Sequence, residues 1–117
     1  MYMCTRVELN NILSAFLEYT KERFGDELKE IILYGSYARG DFDEESDVDI
    51  AIIMRVPHES ENKFNKQIVK IMGELYEKFG YNIVLSPIVI SSEFFEKWKD
   101  DLPFYRNVNQ EGVRIVA

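Results

Sequence analysis

The chain has 117 residues, of which 46% are hydrophobic, 14% aromatic and 30% charged, the balance of an ordinary globular protein and the length of one domain with a single modest core. Its net charge of −7 argues against direct nucleic-acid binding, because neutralising phosphates needs a basic surface. An acidic surface instead speeds encounter with a basic macromolecule, and serves solubility equally well.

At the N-terminus, MYMCTRVELN lacks the basic-then-apolar layout of a signal peptide. No apolar run approaches the ~20 residues of a membrane span, so no membrane partner is expected. Cys4 is the only cysteine and His58 the only histidine. The expected setting is therefore a reducing cytoplasm, and a zinc site of His and Cys alone is excluded. Any metal would be held by carboxylates.

The first predicted element is a helix over residues 5–24. Thr5 and Glu8 have capping-box spacing, Ile12, Leu13, Phe16 and Leu17 form an apolar face, and Gly25 is a stop signal. A short buried strand follows over 30–34, then an ambiguous stretch from Ser36 to Gly40 that suits the first turn of a helix. Val48 to Met54 reads as a second strand. After Pro57 a helix runs to Phe79 on the stripe Phe64, Ile68, Ile71, Leu75 and Phe79, with Lys66, Lys70, Glu74 and Lys78 on a solvated face. Residues 82–90 form a third strand, in which Pro87 suggests an edge or a bulge. Ser91 or Ser92 then caps a short helix, and the aromatic tail from Leu102 docks on the body. The order is that of one α/β domain, residues 1–117, with a small mixed sheet flanked by helices.

The loop between the first two strands carries the chemistry. Gly35 directly after a strand allows a ligand to approach the backbone closely. Ser36 adds a hydroxyl, and a helical turn after it offers N–H groups to an anion. At the other end, Asp47 and Asp49 share one face of a strand while Val48 turns to the core. Two carboxylates on one face repel unless a cation lies between them, and Mg²⁺ favours one or two carboxylates completed by water and phosphate oxygens. Asp41, Asp43, Glu44 and Glu45 suit an acidic surface loop, but Asp49 lies inside the apolar run Ile50-Ala51-Ile52-Ile53 and needs another reason. A phosphate grip beside a metal grip implies a nucleoside triphosphate with Mg²⁺.

The segment GSYARGDFDEESDVD resembles the signature of the nucleotidyltransferase superfamily typified by DNA polymerase β: Gly-Ser, ten residues, then Asp-x-Asp. Its GSxARG and SDxDI details are similar to the minimal nucleotidyltransferases of bacteria and archaea. The resemblance implies the nucleotidyltransferase fold, with Gly35 and Ser36 holding the triphosphate of ATP. It implies Asp47 and Asp49 as catalytic Mg²⁺ ligands that position the α-phosphate for attack by a hydroxyl. Arg39, in the ARG segment, contacts phosphate or pairs with a nearby acid. Family members of this size commonly accompany a HEPN-domain toxin and act as its antitoxin, transferring AMP to a tyrosine of that partner.

Active members of the superfamily also carry a third carboxylate on a later strand. Residues 82–90 hold no acid; Asn82 or Ser86 stands in that region, with Glu93 just beyond it. The same fold as a contact-only antitoxin is therefore the alternative reading. A third, transfer to a small molecule as in aminoglycoside-modifying enzymes, lacks any counterpart of their extra drug-holding domain. His58, beside Pro57, has no partner in the sequence for acid–base work. Phe94, Phe95 and Trp98 suit packing, and Phe104 and Tyr105 suit either core cover or a partner surface.

Overall fold

A computed structural model of the chain describes residues 6–43, 46–80 and 83–115. Cys4, the Thr5 cap, Glu44, Glu45 and Asn82 lie outside them. Helix α1 (Arg6–Phe24) buries Ile12, Leu13, Phe16, Thr20 and Phe24. The buried Thr20 is satisfied locally, its hydroxyl 2.9 Å from the carbonyls of both Phe16 and Leu17. Gly25 follows at φ +55°, a left-handed position that costs glycine little, and a single 3₁₀ turn leads into β1 (Leu28–Tyr34). This strand starts two residues before the predicted one. A register irregularity between Leu28 and Glu30 places the polar pair Lys29-Glu30 there and masks the alternation.

The one-turn helix α2 (Ser36–Arg39) ends at Gly40, φ +86°, and the chain returns as β2 (Val48–Met54), with the bounds expected. Parallel neighbours need a crossover. Here 3₁₀ turns over His58–Phe64 and helix α3 (Asn65–Phe79) carry the chain to β3 (Leu85–Ser91). The unbroken helix expected after Pro57 is thus 3₁₀ in its first part. Its polar residues offer no apolar face until Phe64, which packs edge-on against Phe24 at 5.4 Å. Within α3, Ile68, Ile71 and Leu75 are buried, as the stripe requires.

The sheet order is β3-β2-β1-β4, with β2 and β3 parallel and the other pairs antiparallel. β3 is an edge strand, which accounts for Pro87. Ser91 ends it and caps α4 (Ser92–Trp98): its hydroxyl accepts from the Phe94 N–H and donates to the Val56 carbonyl at 2.6 Å. The tail is more ordered than its sequence suggested. It forms α5 (Pro103–Glu111), with Pro at the first helical position as sterics favour, and the three-residue edge strand β4 (Val113–Ile115).

Both faces of the sheet are covered, giving two apolar clusters rather than the single core expected. Ile31, Leu33, Val48, Ile50, Ile52, Met54 and Leu85 pack with α1 and α3. Ile32, Ala51, Ile53 and Ile90 pack with Phe95 of α4 and Val108 of α5. Burying each such aliphatic side chain contributes about 1.5–3 kcal/mol relative to exposure, and the central strands do so on both faces.

The second cluster depends on Gly112. Its backbone is extended (φ −70°), so the constraint is space: a Cβ there would overlap the Val108 carbonyl oxygen and Ile32 Cγ2. Gly112→Ala is expected to destabilise the domain by about 1–3 kcal/mol, the usual cost of overpacking. Urea denaturation measures it.

Candidate active site

The antiparallel register of β1 and β2 sets Tyr34 opposite Asp49, so the end of one strand meets the beginning of the next. Gly35 leaves β1 at φ +74°, a conformation that side chains disfavour. A second constraint acts at the same atom. A Cβ on Gly35 would overlap Asp49 Oδ2, so the carboxylate rests directly against the glycine backbone. The two ends of the loop, fourteen positions apart in sequence, therefore form one site.

Ser36 opens α2, where the Gly35 carbonyl accepts from the N–H groups of Ala38 and Arg39 at 3.1 and 3.0 Å. Stacking of Tyr37 on Phe42, with ring centroids 4.2 Å apart, pins the chain that returns from this turn. Val48 is fully buried on the α1/α3 side, which turns Asp47 and Asp49 to the opposite side, as strand alternation predicts. Asp49 is partly buried and Asp47 exposed. Burial and then the neighbouring Asp47 raise the Asp49 carboxyl above its ordinary range, while Arg39 pulls it back. Burial, with the charge of Asp49 second, pushes the Tyr34 phenol up to about 12.

Arg39 pairs with two acids. Its Nε lies 3.1 Å from Asp41 Oδ2 and its Nη1 3.6 Å from Glu111 Oε1. The side chain is 42% exposed, and its charge still acts on Asp49.

The strand expected to bear a third acid brings Ser86 instead. Ser86 is the register partner of Asp49 and faces the same side, since Leu85 and Val89 join the α1/α3 cluster while Ile88 and Ile90 join the other. Glu93 lies past the opposite end of β3 and does not reach this place. Among the described residues, no group of three or more His, Cys, Asp and Glu side chains is arranged to hold a metal. Two carboxylates and a hydroxyl nevertheless fit a hard divalent cation whose remaining positions are filled by water and phosphate oxygens. The like-charged pair would be relieved by it. His58 does find a partner, Glu61 Oε2 at 3.0 Å from Nδ1, but beyond the far end of β2.

Three wall residues escaped sequence reasoning. Tyr34 was legible only as an apolar strand residue, although its place just before Gly35 was a signal. Phe104 and Glu111 come from α5, and nothing in their local sequence points to the loop from Gly35 to Asp49, 55 or more positions upstream.

A Gly-Ser turn seated against an acid pair, on adjacent strands of a mixed sheet, is the arrangement of a nucleotide-transferring domain. The nucleotidyltransferase domain family matches residues 13–113, and the chain belongs to that family. It is 38% identical over 100 residues to a candidate protein adenylyltransferase of Methanocaldococcus jannaschii, covering 86% of this chain and 90% of the relative. A second candidate protein adenylyltransferase of that organism is 34% identical over 99 residues, or 85% and 96% of the two chains. The protein adenylyltransferase MntA of Thermococcus cleftensis is 46% identical over 52 residues, covering 44% and 50%.

Two outcomes follow from this geometry. Gly35→Ala is expected to lower stability by roughly 1–3 kcal/mol, through strained φ and displacement of Asp49, read from the urea midpoint. Asp49→Asn is expected to do the reverse. With its pKa raised by folding, the Asp49 carboxylate destabilises the folded state at pH above that raised value, and the penalty is relieved as the pH falls through it. The Asn variant therefore has the higher urea midpoint at pH 7, and the gap to wild type closes as the pH falls into the ordinary carboxylate range.

Proposed function

We propose that this domain transfers AMP from ATP to a protein hydroxyl, the tyrosine of a HEPN-domain toxin, and acts as its antitoxin in a toxin–antitoxin pair. The observation that carries the reading is the contact of Asp49 with Gly35, which joins a phosphate-type turn to an acid pair. The names of the relatives, protein adenylyltransferases, support a protein acceptor. The HEPN partner comes from the resemblance to the minimal nucleotidyltransferases, and the acidic surface suits a more basic partner.

In this reading Gly35 and Ser36 cradle the triphosphate and Arg39 turns from its acids to a phosphate oxygen. Asp47 and Asp49 hold Mg²⁺, which when bound supplies the positive charge that the transferring phosphate needs. The acceptor oxygen bonds to the α-phosphorus as the α–β anhydride bond breaks, pyrophosphate leaves, and the hydroxyl proton is lost to solvent. Positioning and electrostatics carry most of the rate in such transfers.

One observation favours a second reading, a module that neutralises its partner by contact: the register partner of Asp49 is Ser86 and not an acid. Incubation with labelled ATP, Mg²⁺ and a HEPN-domain protein as acceptor separates the two. Label is expected on a partner tyrosine, and Asp47→Asn or Asp49→Asn is expected to reduce it on the order of a hundredfold or more. Neutralisation that survives both substitutions establishes contact as the mechanism. Ser86→Asp is expected to raise the transfer rate, and a rate that falls or stays level counts against Ser86 as the place of the third ligand.

A further inference from the structure

Among the described residues the exposed large hydrophobics are Val7, Val69, Val84, Leu102, Phe104 and Val113. Only Phe104 is aromatic, and only Phe104 packs on the wall of the site. It stands in the first turn of α5 and is 43% exposed. Its ring is held edge to face by Tyr34, with centroids 5.6 Å apart at 87°, and by Tyr105, at 5.5 Å and 76°. Tyr34 in turn lies opposite Asp49 and immediately precedes Gly35. Tyr105 is tied to the second core through Phe95 at 6.3 Å. Phe104 is thus a ring fixed from two sides, open to solvent, and one side chain away from the acid.

We propose that Phe104, buttressed by Tyr34 and Tyr105, is the stacking platform for the nucleobase of the nucleotide this site takes. The inference rests on the nucleotidyl-transfer reading and adds where the base lies. Every base has a π-face, and stacking on an aromatic side chain contributes to binding without reading the base edge. A ring already immobilised loses little conformational entropy on receiving it. The base is favoured over an acceptor side chain as the occupant by the geometry of transfer. An acceptor enters in line, opposite the leaving pyrophosphate. The base is tethered through its ribose to a phosphate held at Gly35-Ser36, and so falls beside the neighbours of Gly35.

The test compares ATP with inorganic tripolyphosphate, each with Mg²⁺, by calorimetric titration of the whole chain. Phe104→Ala is expected to weaken ATP binding about tenfold or more and to leave tripolyphosphate binding unchanged. The second result also shows that the variant is folded. Phe104→Trp is expected to keep ATP affinity at or above wild type. Equal weakening toward both ligands, or unchanged ATP affinity in the Ala variant, overturns the platform. So does an effect confined to the KM for the protein acceptor, which assigns the ring to that partner instead. If wild-type chain binds neither ligand, the nucleotide reading itself fails and takes this inference with it.

Discussion

The arrangement turns on one steric contact, the carboxylate of Asp49 lying where a side chain on Gly35 would be. It demands glycine twice over, once for a positive φ and once for lack of a Cβ. It also demands the antiparallel register that sets Tyr34 against Asp49, because a slip of one residue would turn Asp49 to the face packed by α1 and α3. The register in turn is held by apolar residues on both faces of β1 and β2. The two cores therefore do more than stabilise the sheet; they hold a charged group against a backbone atom.

That placement costs stability. Asp49 interrupts a strand otherwise buried from Val48 to Met54, and its carboxyl is raised by burial and by Asp47. An asparagine would relieve the charge, and a valine would suit the strand. A residue that opposes folding this way stays where an outside positive charge can repay it. Arg39 supplies only part of that charge, since it is divided among Asp41, Glu111 and Asp49. Ser86 on the adjacent strand adds a polar group without adding repulsion, so the site is less negative than three acids would make it.

Most of the central architecture was legible in the sequence because local and long-range preferences agree there. The strand Val48–Met54, the stripe of α3, the stop at Gly25 and the edge position of Pro87 each follow from period, glycine geometry or a missing N–H. The acid pair and the Gly-Ser turn were legible because Asp in an apolar strand has no folding rationale. What escaped notice was encoded non-locally. β4 is three residues long and gains its partners only from β1, while α5 is recognisable as a helix mainly by Pro103. The 3₁₀ turns over His58–Phe64 end where Phe64 packs on Phe24, a contact that no single window contains. Ser86 could be named as a candidate, but its pairing with Asp49 needed the register.

The tail that looked like cover links core to site. Val108 is fully buried against Ile32, and Gly112 lets α5 approach so closely that no side chain fits between them. With its middle and end fixed this way, α5 has little freedom to rotate. Its first turn is held over Tyr34 by Phe104, and its last residue, Glu111, is held beside Arg39. One helix thus touches the neighbours of both ends of the loop. Arg114 strengthens the anchor by spanning Glu30 of β1 and Asn109 of α5. Substitutions at the Val108–Ile32–Gly112 junction therefore act on the site through the orientation of α5, although none of these residues belongs to the Gly-Ser and Asp-x-Asp pattern.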